Sequence, residues 1–346
     1  MELVGSALAF GFSLLAAAVP AALYALLIWW GDRYEKEPWG LLAVTFVWGA
    51  VPAILISLLA ETLFGAPLAG LQAGRLANVL EASGLAPIVE EVAKALALVG
   101  LFFLFRYEFD DVLDGVVYGA LVGVGFGMTE NLLYFLSSFF QNGWGGWGVV
   151  VFVRSVLFGL NHAFFTAFSG AGLGAARLTR RGGPRLLLPL LGLGAAMTFH
   201  GLHNLGVSLA DISPAGLLLS LLTNSGGLLV LLVVVLLAWQ QERLWIETEL
   251  KGEIDRLLTA SEYSAASAYA RRLRLWWAAW KRGGRNEARR QGRVHRLLTE
   301  LAFRKHRLRV LGDEEDTALL ADIERLRQEI ASIGNGNLAP CLRPEV

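Results

Sequence analysis

Cysteine is almost absent. Cys341 is the one thiol in 346 residues, which excludes an intrachain disulfide and any thiolate-ligated metal centre. Charge is scarce too: 17% of residues are Asp, Glu, Lys or Arg, against 55% hydrophobic, and the mean hydropathy is +0.52. That balance excludes an ordinary soluble domain and matches a polytopic membrane protein. The chain has no HExxH, no cysteine in an apolar run and no serine beside a histidine. It therefore offers neither a standard zinc-protease motif nor an evident covalent nucleophile. Nothing basic precedes the first apolar run, which continues to Trp30, so that run reads as a spanning helix rather than a cleaved signal peptide.

What is present is a series of apolar runs. Seven reach the ~20 residues that cross a hydrocarbon core: Ser6–Trp30, Leu41–Ala60, Ala86–Phe105, Gly115–Phe139, Val149–Ala176, Leu186–Leu209 and Leu217–Trp239. Runs of this length in lipid mean helices, so the expected fold is all-α, with about seven transmembrane helices in residues 1–240. The fifth run is long for one crossing and is expected to tilt or end early. Arg33, Lys36, Arg106, Arg177, Arg180, Arg181 and Arg185 fall in alternate loops, whereas the opposite set holds only Arg75. The positive-inside rule then puts the N-terminus outside and the C-terminus in the cytoplasm, at a plasma membrane. The segment 65–83 is too polar to span; Leu71, Leu76, Val79 and Leu80 suit one helical face lying on the outer surface, most simply as a connector.

Residues 241–346 are charged and helical by pattern. Asp313 suits an N-cap for a helix carrying Leu319, Leu320, Ile323, Leu326 and Ile330, and Gly283-Gly284 and Gly312 read as breaks. Basic residues dominate between Arg256 and Arg309, interleaved with Trp276, Trp277 and Trp280. A small helical bundle is the plainest reading; an arm on anionic lipid is the other, and no motif favours nucleic acid.

Within the apolar runs the ionisable residues are Glu90, Glu91, Lys94, Glu130, Arg154, His162, His200 and His203. Such residues cost at least ~2.5 kcal/mol each in hydrocarbon and point to function by default. Glu90 and Lys94 are spaced i,i+4 and Glu91 and Lys94 i,i+3, so all three share a helix face. One ion pair needs one glutamate, which leaves the second surplus. His200 and Asn204 are also i,i+4. Counting ~1.5 Å per residue along straight helices puts Glu90 and Glu91 roughly 6–8 Å, Glu130 and His200 about 14 Å and His162 about 20 Å below the outer boundary. Four runs thus send polar groups toward one outward-facing cavity. Glycines 119, 123, 125 and 127 allow close helix approach; ordinary packing explains all but Gly127, which adjoins the polar set.

These residues resemble the PrsW family of intramembrane proteases, similar in plan to the CAAX prenyl protease superfamily. Glu90-Glu91-Val92-Ala93-Lys94 looks like its paired-glutamate motif and Phe126-Gly127-Met128-Thr129-Glu130-Asn131 its second. Arg154 with Asn161-His162 looks like the third, and His200-Gly201-Leu202-His203-Asn204 the fourth. The match runs from about Leu41 to Ala210. It departs from the CAAX pattern at Glu130, where those enzymes carry a histidine. The resemblance implies hydrolysis of a peptide bond in a single-span, anti-sigma-factor-like membrane protein on the extracytoplasmic side.

Amide hydrolysis needs an activated water, oxyanion stabilisation and a proton for the leaving amine. The expected machinery is Glu90 as base, held by Glu91 or Lys94, His162 and His200 positioning water, and Asn204 donating to the oxyanion, with Glu130, Asn131 and Arg154 completing the site. No cofactor is favoured; divalent zinc is the alternative, with His162, His200 and Glu130 as candidate ligands. The bilayer and the substrate are the expected partners. A proton-coupled transporter would use similar residues, but the motifs occupy four consecutive runs and do not recur in two halves. A non-enzymatic scaffold is the third reading, disfavoured because no motif residue is missing.

Overall fold

The computed structural model describes residues 2–69, 74–179, 182–311 and 317–334. Leu71, Arg180, Arg181, Gly312, Asp313 and Cys341 lie outside the described residues. The chain forms two compact units, residues 1–32 with 37–235 and residues 33–36 with 236–346.

The first unit is built of helices, with no strand among its described residues. α1 (Glu2–Gly31) is followed by α2 (Trp39–Trp48), a π-helical turn at Gly49–Ala53 and α3 (Ile54–Ala69). The second run is thus helical past its expected end at Ala60. The short α4 (Arg75–Leu80) and a second π segment, Glu81–Leu85, lead into α5 (Ala86–Leu104), which carries the paired glutamates. α6 (Val112–Val151) begins at a capping box, Asp111 with Asp114. Behind it, α7 (Asn161–Arg177), α8 (Gly182–Ala210) and α9 (Pro214–Leu250) complete the set. Among the described residues, five stretches are long and apolar enough to cross a membrane: Val4–Gly31, Trp39–Gly65, Val112–Arg177, Gly182–Ala210 and Pro214–Glu253. The third turns back at Gly143, whose φ of 64° an L side chain rarely adopts, and so supplies two runs. α5 is apolar apart from Glu90, Glu91 and Lys94, and it completes the seven runs read from the sequence.

The fifth run is not one helix. A π segment, Phe152–Leu157, is followed by a non-helical step at Phe158–Leu160, and the helix restarts at Asn161. A depth counted along a straight helix from Val149 therefore misplaces His162, which is the second residue of α7. Past the turn, α7 runs antiparallel to α6 with its backbone in contact. A Cβ at Gly119 would lie 2.6 Å from the Thr166 carbonyl oxygen, and Gly115 and Gly170 face each other with the same lack of room. This is small-residue packing of membrane helices. Gly127 is the exception: a Cβ there would meet the ring of His162 at 3.2 Å, so this glycine makes space for a side chain of the site.

In the second unit α9 continues to Leu250, and α10 (Ala260–Ala266), α11 (Tyr269–Leu311) and α12 (Thr317–Gly334) follow. α11 turns back at Gly284, φ 65°, one of the two glycines read as a break. Leu319, Ile323, Leu326 and Ile330 of α12 pack with Ile246, Leu250, Leu298, Leu301 and Phe303 into one core, while Leu320 stays exposed. The tail is therefore a helical bundle with its own core. Inside it, His295 is buried, Nδ1 has no partner, and burial, then Arg272, pushes its pKa down to about 3.

The unfolded chain takes a proton at this histidine below its ordinary value of ~6.5, and the folded unit does not until about pH 3. Its contribution to stability is complete above pH 6.5 and is lost as pH falls, at about 1.4 kcal/mol per pH unit. Thermal melts at pH 7 and pH 5 should differ by about 2 kcal/mol more for the wild type than for His295→Gln.

Candidate active site

Lys94 is the hub. Its side chain is wholly buried, and the ammonium Nζ lies 3.0 Å from Glu90 Oε2, 2.8 Å from Glu91 Oε1 and 3.2 Å from His162 Nδ1. Three acceptors for three N–H donors satisfy the group completely. The face of Phe126 lies 3.8 Å away and adds a cation–π contact. The i,i+3 and i,i+4 spacings on α5 deliver both glutamates, and the close α6–α7 packing delivers Phe126 and His162.

Two tautomers follow from donor and acceptor chemistry. An ammonium only donates, so His162 Nδ1 accepts and its proton sits on Nε2, which donates to Glu130 Oε2 at 2.7 Å. A carboxylate only accepts, so His200 donates from Nδ1 to Glu91 Oε1 at 3.1 Å. That leaves the Nε2 lone pair of His200 3.9 Å from Glu90 Oε2. The ring of His200 stacks on Phe165, with centroids 4.7 Å apart and planes 10° from parallel, which holds its orientation.

The two glutamates differ. Glu91 is fully buried, and both its oxygens are taken, Oε1 by Lys94 and His200 and Oε2 by the Thr166 hydroxyl at 3.0 Å. Glu90 is 7% exposed and is held through Oε2 by Lys94. Glu91 is built into the scaffold; Glu90 keeps capacity to accept a proton. Glu130 Oε2 accepts from His162 Nε2 and also forms an ion pair with Arg154, whose Nε donates to Asn131 Oδ1 at 2.8 Å. Arg154 comes from the π segment, the irregularity often met at functional sites.

Every site residue read from the sequence lies in or beside this assembly, and a cavity of about 370 Å³ opens against it, lined by Glu130, Arg154, His162, His200 and Asn204 among others. Asn204 donates to the Ala82 carbonyl at 2.9 Å, tying α8 to the π segment before α5; its second amide N–H is not used there. His203 bridges Asn161 at 2.9 Å and Ser220 at 2.6 Å, so it joins α7, α8 and α9 as an interhelical link. Sequence reading missed Thr166. It stands i,i+4 from His162, a usable signal, but a threonine in an apolar helix is too common to stand out. Phe165 gave no signal at all.

For a metal, the group whose ligand atoms converge among the described residues is Glu90, His162 and His200, all within 4.8 Å of one another. Two imidazoles and a carboxylate fit zinc by donor type. Glu130 is not in that group; its Oε2 pairs with Arg154 and His162.

A family model described as PrsW family intramembrane metalloprotease matches residues 37–240. The chain is 30% identical over 173 residues to Protease PrsW of Geobacillus kaustophilus, covering 48% of this chain and 68% of that one. It is 28% identical over 200 residues to Protease PrsW of Halalkalibacterium halodurans, covering 56% and 82%. No solved structure matches.

Removing the Thr166 hydroxyl leaves a buried carboxylate oxygen without its donor at nearly unchanged volume. Thr166→Val should destabilise the protein by about 1–3 kcal/mol, measured as a lowered thermal midpoint in detergent.

Proposed function

The chain belongs to the PrsW family of intramembrane metalloproteases, and from that premise we propose that Glu90 is the general base of its peptide-bond hydrolysis. The chain is an intramembrane protease. The observation that carries the assignment is the asymmetry of the pair: Glu91 has both oxygens engaged, and Glu90 does not.

Glu90 Oε2 and His200 Nε2 are two acceptors 3.9 Å apart, a separation one water can bridge by donating a proton to each. As that water attacks the scissile carbonyl, its proton passes to Glu90. The new C–O bond forms while the carbonyl π pair moves to oxygen. Collapse of the tetrahedral intermediate breaks the C–N bond, and Glu90 returns the proton to the leaving amine. Lys94 and Glu91 hold the base in place. The His162 imidazole, fixed between Lys94 and Glu130, sets the wall against which the carbonyl lies. Asn204 lines the cavity and has an amide N–H to offer the oxyanion.

A second reading is favoured by the convergence of Glu90, His162 and His200. These residues would hold a zinc ion, which supplies Lewis-acid polarisation and a more acidic bound water. The substrate in either reading is a single-span, anti-sigma-factor-like membrane protein cut on the extracytoplasmic face. The loop arginines support an outside N-terminus and a cytoplasmic C-terminus in a bacterial plasma membrane.

Glu90→Gln should lower cleavage of a single-span substrate by about 10²-fold or more with little change in thermal midpoint; near-wild-type turnover would overturn the assignment. Chelators should leave wild-type activity intact, and His162→Gln should retain part of it, since an amide still hydrogen-bonds. Stoichiometric zinc, lost and regained together with activity, would instead establish the zinc reading. A tag at the C-terminus should resist protease added outside intact cells.

A further inference from the structure

The first half of α11 has a surface that the protease chemistry does not use. From Tyr269 to Gly283 it carries five basic residues and no acidic one. Leu273, Trp277 and Trp280 are 48%, 51% and 43% exposed. At about 100° per residue these three side chains fall within a ~60° stripe. Lys281 and Arg274 flank the stripe on one edge, about 40–60° past it, and Arg271 and Arg282 lie on the far side of the helix, all four exposed. Trp276 is half-buried and lies 5.6 Å from Trp280, ring centroid to centroid, extending the aromatic strip toward the bundle. The side of this helix about 120° round from the stripe packs within its own unit, where Arg272 and Ala279 are buried.

Exposed tryptophans in a stripe beside a basic one make the pattern of a helix that lies in a bilayer interface. The indole rings sit at headgroup depth, and the cations meet lipid phosphates. The charge selects the lipid, because each Lys or Arg near an anionic surface contributes about 1 kcal/mol and a zwitterionic surface offers no such field. The chain also brings the helix to its partner. α9 runs unbroken from the apolar stretch beginning at Pro214 to Leu250, so the unit is tethered to the membrane by a spanning helix. Its local concentration at the membrane surface is correspondingly high. We propose that the Leu273–Trp277–Trp280 face of α11 docks on the anionic lipid surface of the membrane in which the protease is embedded. The basic, tryptophan-rich segment is then a lipid-sensing face on a folded bundle, not a disordered arm.

The test uses the full chain in nanodiscs holding one copy each. An environment-sensitive thiol dye is placed at Trp277→Cys in a Cys341→Ser background, and at Leu320→Cys on α12 for comparison. A thermal melt matching the parent establishes folding. In phosphatidylglycerol-containing discs the dye at position 277 should shift to the blue, whereas in phosphatidylcholine discs it should stay at its aqueous wavelength. Raised salt should reverse the shift. Arg274→Gln with Lys281→Gln should lower the equilibrium constant for the blue-shifted state about fivefold per charge. The dye at position 320 should remain aqueous throughout. An aqueous signal at position 277 in both lipids would overturn the proposal. So would a blue shift in phosphatidylcholine, which would mean burial against protein, or an equal shift at position 320. A blue shift appearing only when two copies share a disc would assign the face to a second copy.

Discussion

A lysine ammonium buried in a membrane protein has to be paid for, and here Lys94 is matched donor for acceptor by Glu90, Glu91 and His162. An unpaired charge in that environment would cost several kcal/mol, so each of these three partners is fixed by the need to satisfy it. The constraint then propagates. His162, obliged to accept at Nδ1, must donate from Nε2, and so it draws Glu130 and with it Arg154 and Asn131. Glu91, sharing an oxygen between Lys94 and His200, sets the tautomer of His200 and leaves its Nε2 lone pair near Glu90. One cation thus orients four helices' worth of polar groups without any of them being positioned by a loop.

Such an arrangement needs helices closer together than ordinary side chains allow. The glycines of α6 supply that closeness against α7, and Gly127 gives the His162 ring its room. The irregular segments supply the rest. The π segment at Phe152–Leu157 and the step at Phe158–Leu160 let one run present Arg154 and His162 toward the same carboxylate, Glu130. A straight helix would turn residues eight apart about 80° from one another. Backbone irregularity at membrane depth is tolerated where it borders protein and a cavity, which is the setting here.

Much of this was legible in the sequence because membrane burial makes polar residues conspicuous. Glu90, Glu91 and Lys94 stand out in an apolar run, and their spacing alone puts them on one face. His200 with Asn204, and Glu130 with Asn131, stand out likewise. The reason a second glutamate is present was legible as a surplus, and its role required coordinates: only they show Thr166 and His200 closing both oxygens of Glu91. The break before His162 was not legible, since Phe158-Gly159-Leu160 reads as apolar helix. The bundle of the tail followed from its period: Leu319, Ile323, Leu326 and Ile330 recur at helical spacing and are all buried. No break in the helix marks the start of that bundle, since α9 carries on through Trp239 to Leu250.

The two readings of the chemistry draw on the same residues. A divalent ion ligated by Glu90, His162 and His200 would call on two residues that the Lys94 ammonium already engages, Glu90 and His162. With Glu130 balanced by Arg154, the inner group of Glu90, Glu91 and Lys94 carries one net negative charge, and a divalent ion would turn it positive beside a buried ammonium. Charge of one sign at such distances is expensive in a low-dielectric interior. The residues that make the cluster look like a zinc site by donor type therefore also set an ion there against the Lys94 ammonium, which already contacts Glu90 and His162. That repulsion between an ion and the Lys94 ammonium, more than the identity of the ligands, is what separates the carboxylate reading from the zinc reading.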